Sequence, residues 1–138
     1  MESSHNKITY IDQTRLHRAV TAGIHNVISR QDHLNKINVF PVPDGDTGTN
    51  LAFTLSTILK GSYTQTHNNI HTYLEEVADY AINGARGNSG TIFAQFFVGL
   101  SEGSKYVKDK FTSKNFVTAI TTASNYAHRS LSEPKEGT

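Results

Sequence analysis

Residues 41–50 read PVPDGDTGTN, with Asp44 and Asp46 one glycine apart directly ahead of a helical pattern. Side chains two apart on an extended or tightly turned segment share a face, and Gly45 between them leaves room for close approach. Such a pair is a seat for a hard cation. Mg²⁺ takes oxygen ligands, keeps several waters and bridges one or two carboxylates to substrate phosphates. Between Lys36 and Lys60 there is no lysine or arginine to neutralise the pair. Thr47, Thr49 and Asn50 follow where a helix would present unpaired N–H groups and the positive end of its dipole, which favours phosphate oxygens. The bland alternative for these residues is a capping turn. A calcium loop opens the same way, but the twelfth position from Asp44 is Leu55, where a bidentate glutamate is required.

A second stretch, GARGNSG at 84–90, has the same logic in another form. Gly84, Gly87 and Gly90 permit unusual φ and close backbone approach, while Asn88 and Ser89 supply donors where a helix is expected to start. Arg86 is its one cation and a candidate for phosphate contact. The stretch lacks the Lys-Ser/Thr of a P-loop and does not follow a strand, so neither a P-loop nor a dinucleotide fingerprint fits. Read alone, it is also an ordinary glycine-rich helix connection.

Other polar residues read more simply. His67 and His71 are four apart and could share a face as zinc ligands, but no third ligand stands nearby. His17, His25 and His33 recur every eight residues, which drifts around a helix axis, so they read as surface or groove residues. Glu75 and Glu76 read as a solvated face, and Phe93, Phe96 and Phe97 as core.

The elements that must position these loops are all helical. Leu16, Val20, Ile24, Val27 and Ile28 recur at three- and four-residue steps and predict one helix over about residues 12–35, capped by Asp12 or Thr14. Phe40 and Val42 each precede a proline, which makes the approach to the aspartates stiff and extended. Further helices are predicted over about 49–60, over 70–84, from near Ser89, and after Ser113 as N-cap, the last one ended by Pro134. Ile82 and Phe116 fall on their apolar stripes. No strand or repeat is evident, so the fold class is an all-α antiparallel bundle in one domain of 138 residues.

Composition narrows the partners. A net charge of +1, from 13 Lys+Arg against 12 Asp+Glu, gives no global field for nucleic acid or an acidic membrane. No cysteine is present, which excludes disulfides and thiolate metal sites and fits a reducing compartment. The N-terminal residues MESSHNKITY have no apolar signal region, and no stretch approaches a membrane span, so a cytoplasmic chain is expected.

Taken together, INVFPVPDGDTGTN, GARGNSGTIFAQFF and PKEGT resemble the N-terminal, DhaL/DAK2-like kinase domain of bacterial fatty-acid kinase. That domain belongs to the superfamily of the nucleotide-binding L subunit of dihydroxyacetone kinase. The resemblance runs from about Ile11 onward. It implies an antiparallel helical barrel that binds ATP or ADP with two Mg²⁺ ions at one end, Asp44 and Asp46 holding the metals. It places Thr47 and Asn50 beside the phosphates and Gly87, Asn88, Ser89 and Gly90 over them. The dihydroxyacetone-kinase branch has a further aspartate upstream of the pair. Here the nearest polar residue is Asn38, displaced by one, which favours the fatty-acid-kinase branch. Family domains run longer, so the resemblance implies barrel helices beyond residue 138. The implied reaction is phosphoryl transfer to a fatty-acid carboxylate presented by a fatty-acid-binding partner protein of the DegV kind, giving an acyl phosphate. A homodimer is compatible with it. The alternatives are a phosphotransferase component like that of dihydroxyacetone kinase, or a non-catalytic nucleotide-binding fragment.

Overall fold

The structure, a computed structural model, describes residues 7–63 and 68–133. The chain order is β1 (Tyr10–Ile11), α1 (Gln13–Ser29), α2 (Gln31–Ile37), α3 (Thr47–Leu59), α4 (Ile70–Asn83), α5 (Gly87–Gly103), β2 (Phe111–Thr112) and α6 (Ser113–Arg129). The all-α expectation holds. His67, Pro134 and the PKEGT stretch lie outside the described residues.

Helix α3 is the hub, packing on α1, α2, α4 and α5, while α5 also carries α4 on one side and α6 on the other. Apolar stripes meet in one core: Leu16 and Ile24 of α1, Leu55 and Ile58 of α3, Leu74 and Val77 of α4, and Phe97 and Leu100 of α5. The closest helix pair is α5 with α6. A Cβ on Gly99 would sit 2.6 Å from the Ala123 Cα, and one on Gly103 would sit 2.7 Å from the Ala119 Cα. Small residues on both helices let the two backbones approach to where a larger side chain would not fit.

Four sequence expectations need correction. The single helix over 12–35 is two helices, broken at Arg30, whose φ of −101° and ψ of 10° close α1 and open α2. No glycine or proline marks the break, and α2 buries no apolar residue, so periodicity carries no sign of it. Asp12 is the α1 cap, its carboxylate accepting from the Arg15 amide at 2.9 Å. Second, two short strands exist, paired antiparallel with Tyr10 opposite Thr112 and Ile11 opposite Phe111. At two residues each they are too short to show alternation. Third, Thr112 rather than Ser113 caps α6, through a reciprocal box with Asn115. Fourth, Phe93, Ile82 and Phe116 are 38, 47 and 50% exposed; of the three phenylalanines on α5 only Phe97 is buried.

Histidines also settle into structural places. The His17 Nδ1 lies 3.1 Å from the Tyr73 hydroxyl, and its ring packs on Tyr63. His71 contacts the Ser101 carbonyl oxygen and, at 3.4 Å, Glu75. Among the described residues, no helix is long and apolar enough to cross a membrane.

Candidate functional site

The aspartate loop leaves α2 at Asn38 and returns at Asp46, the residue before α3. Apolar burial does not hold it in place: Val39, Phe40 and Val42 are 70, 47 and 59% exposed. Polar bonds do. The Asn38 Oδ1 accepts from the amides of Asp46 and Thr47, each at 3.2 Å, and from the Thr47 hydroxyl at 2.8 Å. The Asn38 amide donates to the Val42 carbonyl at 3.1 Å. Gly45 turns the chain between the two aspartates with φ of +66°, a left-handed conformation that costs a residue with a Cβ about 1–2 kcal/mol. Asp44 and Asp46 are both left exposed.

The first turn of α3 is less open to an anion than the sequence suggests, since two of its three first-turn amides are taken. Its Thr47 amide is taken by Asn38, and its Thr49 amide donates to the Asn35 Oδ1 at 3.0 Å. The Asn50 amide is already in the helical ladder, bonded to the Asp46 carbonyl. The Thr49 hydroxyl accepts from Asn35 at 3.0 Å and from Gln31 at 3.3 Å. Thr49 therefore faces α2 rather than the loop. This is what the break at Arg30 achieves: it turns Gln31 and Asn35 back onto α3.

The first turn of α5 is open. Arg86, its N-cap, is extended and offers no side-chain bond. Gly87 has φ of +66°, and the Gly90 amide is the first to close a helical bond, to the Arg86 carbonyl. The amides of Gly87, Asn88 and Ser89 have no partner among the described residues, so three donors and the positive helix end point outward together. Gly90 lies buried against Thr54. Arg86 does not line the cavity; its guanidinium lies over the Phe53 ring at 5.1 Å.

Both turns open into one cavity of about 440 Å³. Asp44, Asp46, Thr47 and Asn50 line it from the α3 side, and Gly87, Asn88 and Ser89 from the α5 side. Thr49 and Gly90 do not line it. Phe40, Val42, Leu51, Ile92 and Phe93 form its apolar wall. Asn50 is only 7% exposed, and its side-chain amide has no hydrogen-bond partner among the described residues. Its Nδ2 lies against Gly87 so closely that a Cβ there would overlap it. Among the described residues the Ser104 Oγ is the one side-chain polar atom both fully buried and unpaired; the Asn50 amide is unpaired but not sealed, and is free to donate into the cavity.

Thr54 ties the two halves together, and sequence reading missed it. Fully buried, its hydroxyl donates to the Asn50 carbonyl at 2.8 Å and accepts from the Arg86 amide at 3.1 Å. The available signal was its place one helical turn after Asn50. Asn35 and Gln31 were missed too, because their partner Thr49 is far away in sequence.

Among the described residues no group of three or more His, Cys, Asp or Glu side chains could hold a metal ion. The cavity's metal-ligating side chains are oxygen donors, two of them carboxylates, and no lysine, arginine or histidine among the described residues lines it. That donor set fits a hard divalent cation completed by water and phosphate oxygens, and not a closed protein cage. A second cavity of about 440 Å³ beside Asp12, His17 and Tyr63 takes in the start of α1 but has no carboxylate pair.

Comparison with known proteins places these features. The DAK2 domain family matches residues 41–138, which include both aspartates and the whole of α3 through α6. An uncharacterized Mycoplasma pneumoniae protein, the MG369 homolog, is 33% identical over 99% of this chain and 24% of its own length. Protein YloV of Bacillus subtilis is 30% identical over 95% of this chain and 24% of its own length. The chain thus spans about a quarter of the length of these relatives. With the family match running through every helix that frames the cavity, the chain belongs to the DAK2 domain family, a kinase-type family of nucleotide-binding, dihydroxyacetone-kinase-like domains.

Proposed function

We propose that this domain binds ATP with Mg²⁺ in the cavity between the aspartate loop and α5 and takes part in phosphoryl transfer to a carboxylate. The observation that carries the reading is the meeting, in one cavity, of two exposed carboxylates, three unpaired amides and the unpartnered Asn50 amide. A bare polyphosphate would be repelled by Asp44 and Asp46, because no cationic side chain among the described residues lines the cavity. Mg²⁺, when bound, neutralises that charge and polarises the phosphoryl oxygens.

In this reading Asp44 and Asp46 hold the metal, and Thr47 supplies a further oxygen beside them. The amides of Gly87, Asn88 and Ser89 donate to the charge spread over the transferring group, as phosphoryl transfer requires positioning and electrostatic stabilisation above all. Asn50 adds one donor, and Leu51, Ile92 and Phe93 exclude water from that side. Transfer breaks the bond between the γ-phosphorus and its bridging oxygen, ADP leaves, and an acceptor oxygen bonds to phosphorus. Among the described residues no histidine or lysine lines the cavity to serve as general base. A carboxylate acceptor is ionised at neutral pH and needs none. This favours a fatty acid, delivered by a DegV-like partner and leaving as an acyl phosphate, over a hydroxyl acceptor of the dihydroxyacetone kind.

Calorimetric titration with a non-hydrolysable ATP analogue, in Mg²⁺ and again in EDTA, tests the site. Binding is expected in Mg²⁺ alone, and to be lost in Asp44→Asn and Asp46→Asn with helical circular dichroism unchanged. Equal binding by Asp44→Asn would remove the metal assignment. Binding without hydroxylamine-trappable acyl phosphate, in the presence of a fatty-acid-binding partner, would leave a nucleotide-binding module and remove the transfer step.

A further inference from the structure

We propose that Asn38 is the positioning residue of the aspartate loop: it holds Asp46 and Thr47 toward the cavity from the end of α2 and is not itself a metal ligand. This rests on the reading of the cavity as a Mg²⁺–nucleotide site. Asn38 lines the cavity and stands close to both carboxylates in sequence, so a ligand role is the natural rival. Its hydrogen bonds decide against that. An amide oxygen has two lone pairs, and three donors already converge on this one: the Asp46 amide, the Thr47 amide and the Thr47 hydroxyl. A cation could reach it only by displacing bonds that fix the neighbouring carboxylate.

The same side chain grips the loop at two points. Its amide nitrogen donates to Val42 at 3.1 Å, so the loop's middle and its return to α3 are tied to one residue at the end of α2. Nothing apolar replaces that grip, with Val39 and Val42 70 and 59% exposed. There is a second consequence. By occupying the Thr47 amide, while Asn35 occupies that of Thr49, the two asparagines take two of the three first-turn donors of α3 and leave only that of Gly48. The unpaired amides on the α5 side are then where a phosphate finds donors. Two asparagine side chains thereby bias the anion toward the α5 wall, where three first-turn amides are unpaired against one on α3.

The test uses the 138-residue chain and its Asn38→Ala and Asn38→Asp variants. Two readouts are taken: NMR hydrogen exchange of the Asp46 and Thr47 amides without metal or nucleotide, and Mn²⁺ binding in the presence of an ATP analogue. In Asn38→Ala, exchange at those two amides should rise about tenfold or more while Leu74 and Val77 stay protected, and Mn²⁺ affinity should fall about tenfold. Asn38→Asp keeps an acceptor for the Asp46 and Thr47 donors and loses only the bond to Val42, so protection of those two amides should stay within about threefold of wild type. A ligand role predicts unchanged metal-free exchange in Asn38→Ala and much tighter Mn²⁺ binding in Asn38→Asp, and either result overturns the proposal. So does faster exchange with unchanged Mn²⁺ affinity, which is the signature of a structural bond alone. If Asn38→Ala does not fold, Asn38→Asp decides, since loss of protection there overturns the clamp. Failure of the wild-type chain to bind Mn²⁺ with the analogue would remove the site reading and this role with it. Wild-type binding matched by Asn38→Ala removes the role alone.

Discussion

Replacing Gly87 with alanine perturbs the cavity at its narrowest seam, and its cost divides into two parts. The first is conformational: φ of +66° is a left-handed backbone, worth about 1–2 kcal/mol against any residue with a Cβ. The second is steric. The new Cβ overlaps the Asn50 Nδ2 and lies 2.9 Å from its Cγ, so the amide must swing away from the position it holds in the cavity wall. Gly45→Ala isolates the first part, because Gly45 has the same φ and its Cβ would meet only the Asn35 carbonyl oxygen at 3.7 Å. Gly45→Ala should therefore lose about 1–2 kcal/mol and Gly87→Ala about 2–3 kcal/mol. Urea denaturation reads both, and thermal midpoints should fall by roughly 3–5 °C per kcal/mol for a chain of this size. Titration with the Mg²⁺-bound ATP analogue reads the displaced Asn50 donor, a bond to a charged group worth about 1.5–3 kcal/mol, as a loss of roughly tenfold or more. Asn50→Ala added to Gly87→Ala should cost less than the two single changes summed, since the overlap has gone. Unchanged stability in Gly87→Ala would refute the left-handed turn. Normal stability loss with unchanged affinity would refute the placing of Asn50 at the ligand.

Three other outcomes follow from the packing. Thr54→Val removes the hydroxyl joining Asn50 to Arg86 and leaves the Arg86 amide without its acceptor, so chemical denaturation should show a loss of about 1–3 kcal/mol. Gly99→Ala should destabilise by about 1–3 kcal/mol through backbone overlap with Ala123, whereas Gly23→Ala in α1, with nothing within 4 Å, should stabilise by up to about 1 kcal/mol. The two Gly→Ala changes thus have opposite signs in one assay. Burial, reinforced by neighbouring tyrosine and Glu76 charges, raises the pKa of Tyr63 and Tyr73 well above the ordinary tyrosine range. Above pH about 10 the unfolded chain releases these protons while the folded chain keeps them, so stability, flat below that pH, should fall by up to about 1.4 kcal/mol per pH unit per tyrosine. Urea midpoints between pH 8 and 11 check this, and Tyr73→Phe should reduce the slope.

The helical class, the stripes of α1, α3 and α4, and the two glycine-punctuated stretches that meet in the cavity are all legible in the chain before it folds. Those features are local: the apolar period along Leu51, Leu55 and Ile58, or glycine where the chain turns left-handed at 45 and 87, is written within a few residues. The rest depends on partners distant in sequence, which come together only on folding. Thr47, Thr49 and Asn50 look alike as the opening of a helix, yet Thr49 turns to Asn35, Thr47 is held by Asn38, and Asn50 alone of the three keeps a side-chain amide free to face the cavity. The break at Arg30 carries no local mark, because its effect is to bring Gln31 and Asn35 against α3 through polar bonds that leave no hydrophobic period. Which helix end stays open to an anion is decided in the same way. Both α3 and α5 begin with small and polar residues, and only the presence of α2 beside one of them, and its absence beside the other, leaves the amides of Gly87, Asn88 and Ser89 unpaired.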